Sequence, residues 1–252
     1  MIARRGTAAA TAVVLALALA ACGDSEPSDV GTDAPAESGE QAGTGSGHVE
    51  AGADDAASAT LVLTGGGDSI TLGTDPDGGP AVAADATNVP GDADDGGLVL
   101  TTPAPDADDA GPRYQVALDG GDVAVRLDPD VRWTVLIQAG TDAWDVDLTA
   151  THVDRITIEA GAGKGTFRLP APDDVVPIDQ TAGLGDVTVQ VPDGTGLRWT
   201  TSAGAGTATL LGETTEGIAA QTELTTPDLD ESGPYYDLRS AAGIGSLTVT
   251  NP

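Results

Sequence analysis

A glycine turn that returns along the chain limits the choice of fold more than any other feature. The sequence reads "DGGDVAVRLDP" from 119, "AGTDAWDVDL" from 139, "AGAGKGTFRLP" from 160, "AGLGDVTVQVP" from 182, "AGAGTATLLG" from 203 and "AGIGSLTVTNP" from 242. The second glycine of the turn falls at Gly121, Gly163, Gly185, Gly206 and Gly245, with gaps of 42, 22, 21 and 39 residues. A period near 21 accounts for all four gaps, two of them being about two periods, and a period of this length implies stacked repeats. The stretch from 139 fills the first double gap and lacks the second glycine.

Each turn leads into strict alternation. Val187, Val189 and Val191 point one way, with Thr188 and Gln190 between them. Phe167 and Leu169, Val123, Val125 and Leu127, and Leu247 and Val249 repeat the pattern. A period of two marks half-buried strands. Proline follows at Pro170, Pro192 and Pro252, where it ends pairing without breaking it. A second alternating strand precedes each turn: Val131, Trp133, Val135 and Ile137; Ile156 and Ile158; Val176 and Ile178; Leu197 and Trp199. The expected fold is all-β, a β-solenoid or β-roll of two-strand repeats of about 21 residues, with a β-sandwich as the alternative. Residues 73–96 and 212–234 break the pattern and are expected to be loops, the second replacing a repeat. The glycines are expected to supply backbone angles that other residues resist.

The unit "AGxGxxxxxLP", present as "AGAGKGTFRLP" and "AGLGDVTVQVP", resembles the toast-rack, or putative-adhesin, β-repeat domains of bacterial envelope proteins. The C-terminal domain of LiaF-type envelope-stress regulators is similar. The resemblance covers 113–252 well and 58–112 weakly. It implies an extracytoplasmic, non-enzymatic role in adhesion or envelope-stress sensing, with no catalytic residues to carry over.

The front of the chain has a different character. Arg4 and Arg5 precede a run of small and apolar residues to Ala21, the layout of a secretory signal peptide. It ends in Leu19-Ala20-Ala21-Cys22, which resembles the lipobox of bacterial lipoproteins. The resemblance implies signal-peptidase recognition of Leu19, Ala20 and Ala21, a covalent diacylglyceryl group on Cys22, and the cell membrane's outer face as location. A single acyl chain holds a protein only marginally, whereas two or three hold it stably. Cys22 is the sole cysteine, so no intrachain disulfide is possible. Residues 22–57 are acidic and almost free of large apolar side chains, and are expected to be a disordered tether in which His48 is solvated. The domain division is then 1–21 signal peptide, 22–57 tether and 58–252 β-repeat domain.

Composition restricts partners. Without Arg4 and Arg5 the chain has eight basic residues against 40 acidic ones, a formal charge of −32. Nucleic acid requires a basic footprint and is excluded as a partner. "EAGAGKGTF" at 159–167 holds Lys164, the only lysine, and looks like part of a phosphate loop. Yet Gly165 stands where Ser or Thr is needed, Ile158 stands where the first glycine belongs, and a strand follows instead of a helix. Nucleotide binding is not expected. His48 and His152 are too few for a zinc site, no G-x-S-x-G occurs, and 40 acids make any carboxylate pair uninformative. No enzyme activity and no cofactor beyond the lipid are expected. Asp75, Asp77, Asp92, Asp94 and Asp95 crowd oxygen atoms enough for weak calcium binding, although solvated acidic loops are the plainer reading. Trp133, Trp144, Trp199, Tyr235 and Tyr236 are expected in core or rim packing. A flat face exposing aromatics or threonines would indicate binding, and an even polar surface would indicate a spacer. The candidate partners are an envelope protein or a wall polymer.

Overall fold

The computed structural model describes residues 44–52, 56–90, 97–104 and 111–252. Among the described residues there are 17 strands and no helix. In chain order they are β1 (Thr44–Ala51), β2 (Ser58–Thr74), β3 (Val82–Pro90), β4 (Leu98–Thr101), β5 (Arg113–Asp119), β6 (Asp122–Leu127), β7 (Arg132–Asp147), β8 (His152–Ile158) and β9 (Ala162–Arg168). There follow β10 (Val176–Gln180), β11 (Leu184–Gln190), β12 (Gly196–Thr201), β13 (Ala205–Leu210), β14 (Glu213–Ile218), β15 (Thr222–Thr225), β16 (Tyr235–Ser240) and β17 (Ile244–Thr250).

Seven strand–turn–strand repeats can be followed in chain order: β2, β5–β6, β7, β8–β9, β10–β11, β12–β13 and β16–β17. In the first and third repeats one long strand carries both halves through the turn. Equivalent halves pair in parallel and in register. Val187 thus lies between Gly165 and Leu247, and Val189 between Phe167 and Val249. First halves form one row of strands and second halves another, and the rows face each other across a single apolar cluster. Trp133, Leu61, Ile137, Ile156, Leu169 and Trp199 are among its largest fully buried side chains. Valine, isoleucine and leucine supply most of the rest, as the scarcity of aromatics requires.

The all-β reading with paired repeats holds, but the sheet departs from a simple solenoid in two ways. It is mixed, because antiparallel strands close both ends. The repeats are also not stacked in chain order. The first repeat pairs with both the second and the third, and the seventh pairs with both the fifth and the sixth. The spatial order is second, first, third, fourth, fifth, seventh, sixth.

The two stretches expected to be loops make the ends. After Thr74 the chain forms β3 and β4, which pair antiparallel to β6 and β5. Residues 213–225 form β14 and β15, antiparallel to β13 and β12. Each end piece is a repeat run backwards, second row first. The β13–β14 connection is the two residues Leu211 and Gly212, both at positive φ (47° and 93°), which matches strand twist in a tight hairpin. The expected tether also reaches too far along the chain. Thr44–Ala51 forms β1, antiparallel to β3.

Of the five glycines expected in turns only Gly121 lies between strands, while Gly163, Gly185, Gly206 and Gly245 are each the second residue of a strand, β9, β11, β13 and β17. Of the five second glycines only Gly121 has positive φ, at 74°. The others stack on one another. A Cβ at Gly185 would lie 2.1 Å from the Gly163 carbonyl oxygen. The matching distances are 2.9 Å from Gly245 to Gly185, 2.6 Å from Gly206 to Gly245 and 3.0 Å from Gly163 to the Asp142 carbonyl. Backbones meet here with no room for a side chain. Gly243 lies in the connection between β16 and β17, and the nearest neighbour of a Cβ there would be 3.9 Å away. Gly185→Ala is therefore expected to lower stability by about 2 kcal/mol through forced backbone displacement. Gly243→Ala should change it by no more than about 0.5 kcal/mol. Paired urea denaturation curves check both, and equal losses would remove the stacking argument.

Candidate interaction faces

Strand pairing places one residue of each repeat at the same height on the outer face of the second row. These residues are Thr166, Thr188, Thr248 and Thr209, followed by Thr214 of the end piece. Neighbouring strands are about 4.8 Å apart, so five threonines extend over roughly 19 Å. The first four are half-exposed and Thr214 is exposed. Asp145 and Thr71 continue the line toward the other end. Ser246, Thr207, Gln190 and Thr250 flank it together with the charged Asp186, Lys164, Glu216 and Arg168, and Ser246 Oγ donates to Asp186 at 2.7 Å, so an uncharged line runs between mixed-charge neighbours. Sequence reading followed glycines and apolar residues and missed this line. Its signal was present: a threonine stands three residues after each of Gly163, Gly185, Gly206 and Gly245.

The outer face of the first row is ionic. Arg132 reaches Asp154 at 3.0 Å and Asp173 at 2.9 Å, and Arg155 reaches Asp179 at 2.9 Å. Such exposed pairs contribute little stability but fix which charges face outward. Toward β12 lies a cavity of about 340 Å³ lined by Asp179, Arg198, Thr200, Glu223, Asp237 and Arg239. The Asp237 side chain is only 2% exposed. Its Oδ1 accepts from Arg198 Nε at 3.1 Å and its Oδ2 from Arg239 Nη2. Burial pushes its carboxyl up, but the hydrogen bonds from the two guanidiniums outweigh that and hold it below the ordinary range. A carboxylate held this way is a weak proton acceptor and a firm anchor for two arginines.

Trp133, Trp144, Trp199, Tyr235 and Tyr236 are all buried. Trp133 donates to the Asp128 carbonyl at 3.0 Å, and Tyr236 to the Pro170 carbonyl at 2.7 Å. Trp144 and Phe167 meet edge to face at 6.0 Å, and Arg198 lies over the Tyr235 ring at 5.2 Å. Lys164 is exposed on β9 between Ala143 and Asp186, in a stretch that opens a strand. His152 begins β8 and lies 3.3 Å from Asp173. Asp75 accepts from the Asp77 amide at 3.2 Å in the turn after β2. Cys22, Leu19, Ala20, Ala21, Asp92, Asp94 and Asp95 lie outside the described residues.

His48, expected to be solvated, has partners. Its Nδ1 is 2.6 Å from Asp85 and its Nε2 is 3.5 Å from Glu50. Asp85 also accepts from Arg126 at 2.5 Å. The bond to Asp85 raises the imidazole above its ordinary value. The charged form is therefore favoured in the folded chain. That contribution is fully present below about pH 6.5 and is lost as pH rises through the raised value. Hydrogen exchange should show β1 better protected against β3 at pH 6 than at pH 8.5, after correction for intrinsic rates, and His48→Ala should abolish the difference. For Asp237 the sign is opposite. Its contribution is present above about pH 4 and is lost as pH falls through the lowered value. Asp237→Ala is expected to cost about 2 kcal/mol, since both guanidiniums lose their anchor while still reaching water. Urea midpoints at neutral pH measure this, and the gap to the unchanged protein should narrow near pH 3.

Comparison with known protein families and with curated proteins finds no match. Among solved structures the chain is similar to a protein of Clostridium sporogenes described as "a putative cell adhesion protein". The TM-score is 0.62 at 14% identity, over 83% of this chain and 100% of the other. At that identity the likeness is one of fold.

Proposed function

We propose that this is a lipid-anchored, extracytoplasmic binding protein of the cell envelope, adhesin-like and non-enzymatic. In this reading Cys22 carries the diacylglyceryl anchor and residues 23–43 lead from the membrane to the folded part. The repeats act as windings of a β-roll, permuted at both ends, whose outer face meets an envelope protein or a wall polymer. The line Thr166–Thr188–Thr248–Thr209–Thr214 carries the proposal. It offers hydroxyls and methyl groups at a fixed spacing on a rigid sheet. The adhesion description of the Clostridium sporogenes neighbour and the resemblance to envelope-stress regulators favour the same class of role.

A spacer without a specific ligand is the competing reading. One observation favours it: the only exposed large hydrophobic side chains among the described residues are Val99 and Val175. Crosslinking in living cells followed by mass spectrometry separates the two. The unchanged protein, Cys22→Ala and the double variant Thr188→Glu/Thr248→Glu are compared. One membrane or wall component should be recovered with the unchanged protein and fall at least tenfold with either variant. A broad background common to all three would leave the spacer reading in place.

A further inference from the structure

Residues 196–250 pair chiefly with themselves. Among the described residues the sixth repeat, β12–β13, has strand partners only in β14, β15, β16 and β17. This C-terminal unit joins the rest of the sheet through β16 on β10 and β17 on β11. The chain enters it through one short link, 191–195, which holds Pro192 and Gly194, the latter at φ 73°. Five residues reach at most about 17 Å, enough to step over one strand or to open outward.

At this seam the core changes character. One inward line of the first row reads Val116, Leu63, Ile137 and Ile158, then Gln180, Ser240 and Thr201. The last three are 1%, 2% and 0% exposed. Ser240 accepts from Trp199 Nε1 at 2.9 Å and Thr201 accepts from the Gly204 amide at 2.9 Å, both within the C-terminal unit. Gln180 donates to the Ala182 carbonyl of its own turn. Its Oε1, buried, has no hydrogen-bond partner among the described residues. These inward polar side chains are thus satisfied on their own sides or not at all, and the side-chain hydrogen bonds that do cross lie elsewhere, from Ser246 Oγ to Asp186 and from Tyr236 to the Pro170 carbonyl, both at 2.7 Å. A cavity of about 20 Å³ lies beside them, lined by Ile178, Gln180 and Val187 on one side and Leu238 and Ile244 on the other. The larger 340 Å³ cavity opens over the same seam, from Asp179 to Arg239.

We infer that this seam is an interaction surface for a second copy of the chain. The 196–252 unit of one molecule leaves its own β10 and β11 and docks on those of a partner, and the partner's unit does the reverse. The occupant fits because the seam's register, five residues on β10 and six on β11, is a property of the sequence and is the same in every copy. The unsatisfied Gln180 and the adjoining cavity lower the cost of parting the two sides. The link 191–195 is the hinge. This inference rests on the sheet alone and is independent of the adhesion proposal.

Thr188 and Thr248 are register partners across the seam. Full chains carrying Cys22→Ala and either Thr188→Cys or Thr248→Cys are mixed, held below the unfolding temperature, and oxidised. Exchange yields a disulfide-linked dimer containing one of each. Thr166→Cys mixed with Thr248→Cys is the control, because the fourth and seventh repeats are not neighbours. A mixed dimer no more abundant than the control overturns the inference. Adding Gln180→Leu to both chains should slow mixed-dimer formation on the order of fivefold, the effect of removing one unpaired buried polar group. An unchanged rate would overturn the assignment of the opening to this seam.

Discussion

The whole arrangement depends on backbones meeting at the bend between the two rows. Wherever Gly206, Gly245, Gly185 and Gly163 succeed one another, a carbonyl of one repeat occupies the place a side chain would take in the next. Close stacking there lets both halves of neighbouring repeats pair in register at the same time. A bulkier bend would splay one row as the other closed, and the valine and leucine lines within would separate from each other. The apolar core supplies the driving force, but the glycine contacts decide that it is reached with both rows intact.

Permutation at the ends addresses a second problem. A stack of repeats ends in open strand edges, which invite pairing with other chains. Here the segment linking two permuted repeats folds back as a reversed repeat and covers the last edge. β14 presents Glu213, Thr214, Thr215 and Glu216 to solvent, a poor template for further strands. The same manoeuvre leaves the outermost repeat without direct pairing to the main stack, so the seventh repeat holds the sixth in place. Edge protection at the end and dependence on a single seam are two results of one connectivity.

How much of this is legible in the sequence varies with the reach of the interaction involved. Val187, Val189, Phe167 and Leu169 alternate locally, and local alternation gave their burial correctly. The glycine positions were equally plain, but their cause was not, because a contact between Gly185 and Gly163 exists only once the repeats are stacked. Order within the stack leaves no trace, since Val189, Val249 and Leu210 are interchangeable as inward neighbours. β14 escaped notice because both its faces are solvated, so no alternation is required. β3 escaped because alanines such as Ala84 and Ala86 fill its buried positions. Asp237 resembles 39 other acids until the fold places it between Arg198 and Arg239. The threonine line repeats with the glycines and is therefore written in the sequence, but threonine on an outer strand face is commonplace and does not mark itself out.

The permuted connectivity also bears on how the chain finds its fold. At one end, the first repeat precedes both of its neighbours in the chain, so the second and third can assemble around it as they follow. At the other, the fifth and sixth repeats both precede the seventh, which must enter between strands already made. The two ends, alike once folded, are therefore reached by opposite routes, accretion at one and insertion at the other. Until residues 235–250 arrive, the sixth repeat and its reversed partner have no strand pairing to the stack among the described residues, so closure of the sheet reports that the chain has been read through to that point.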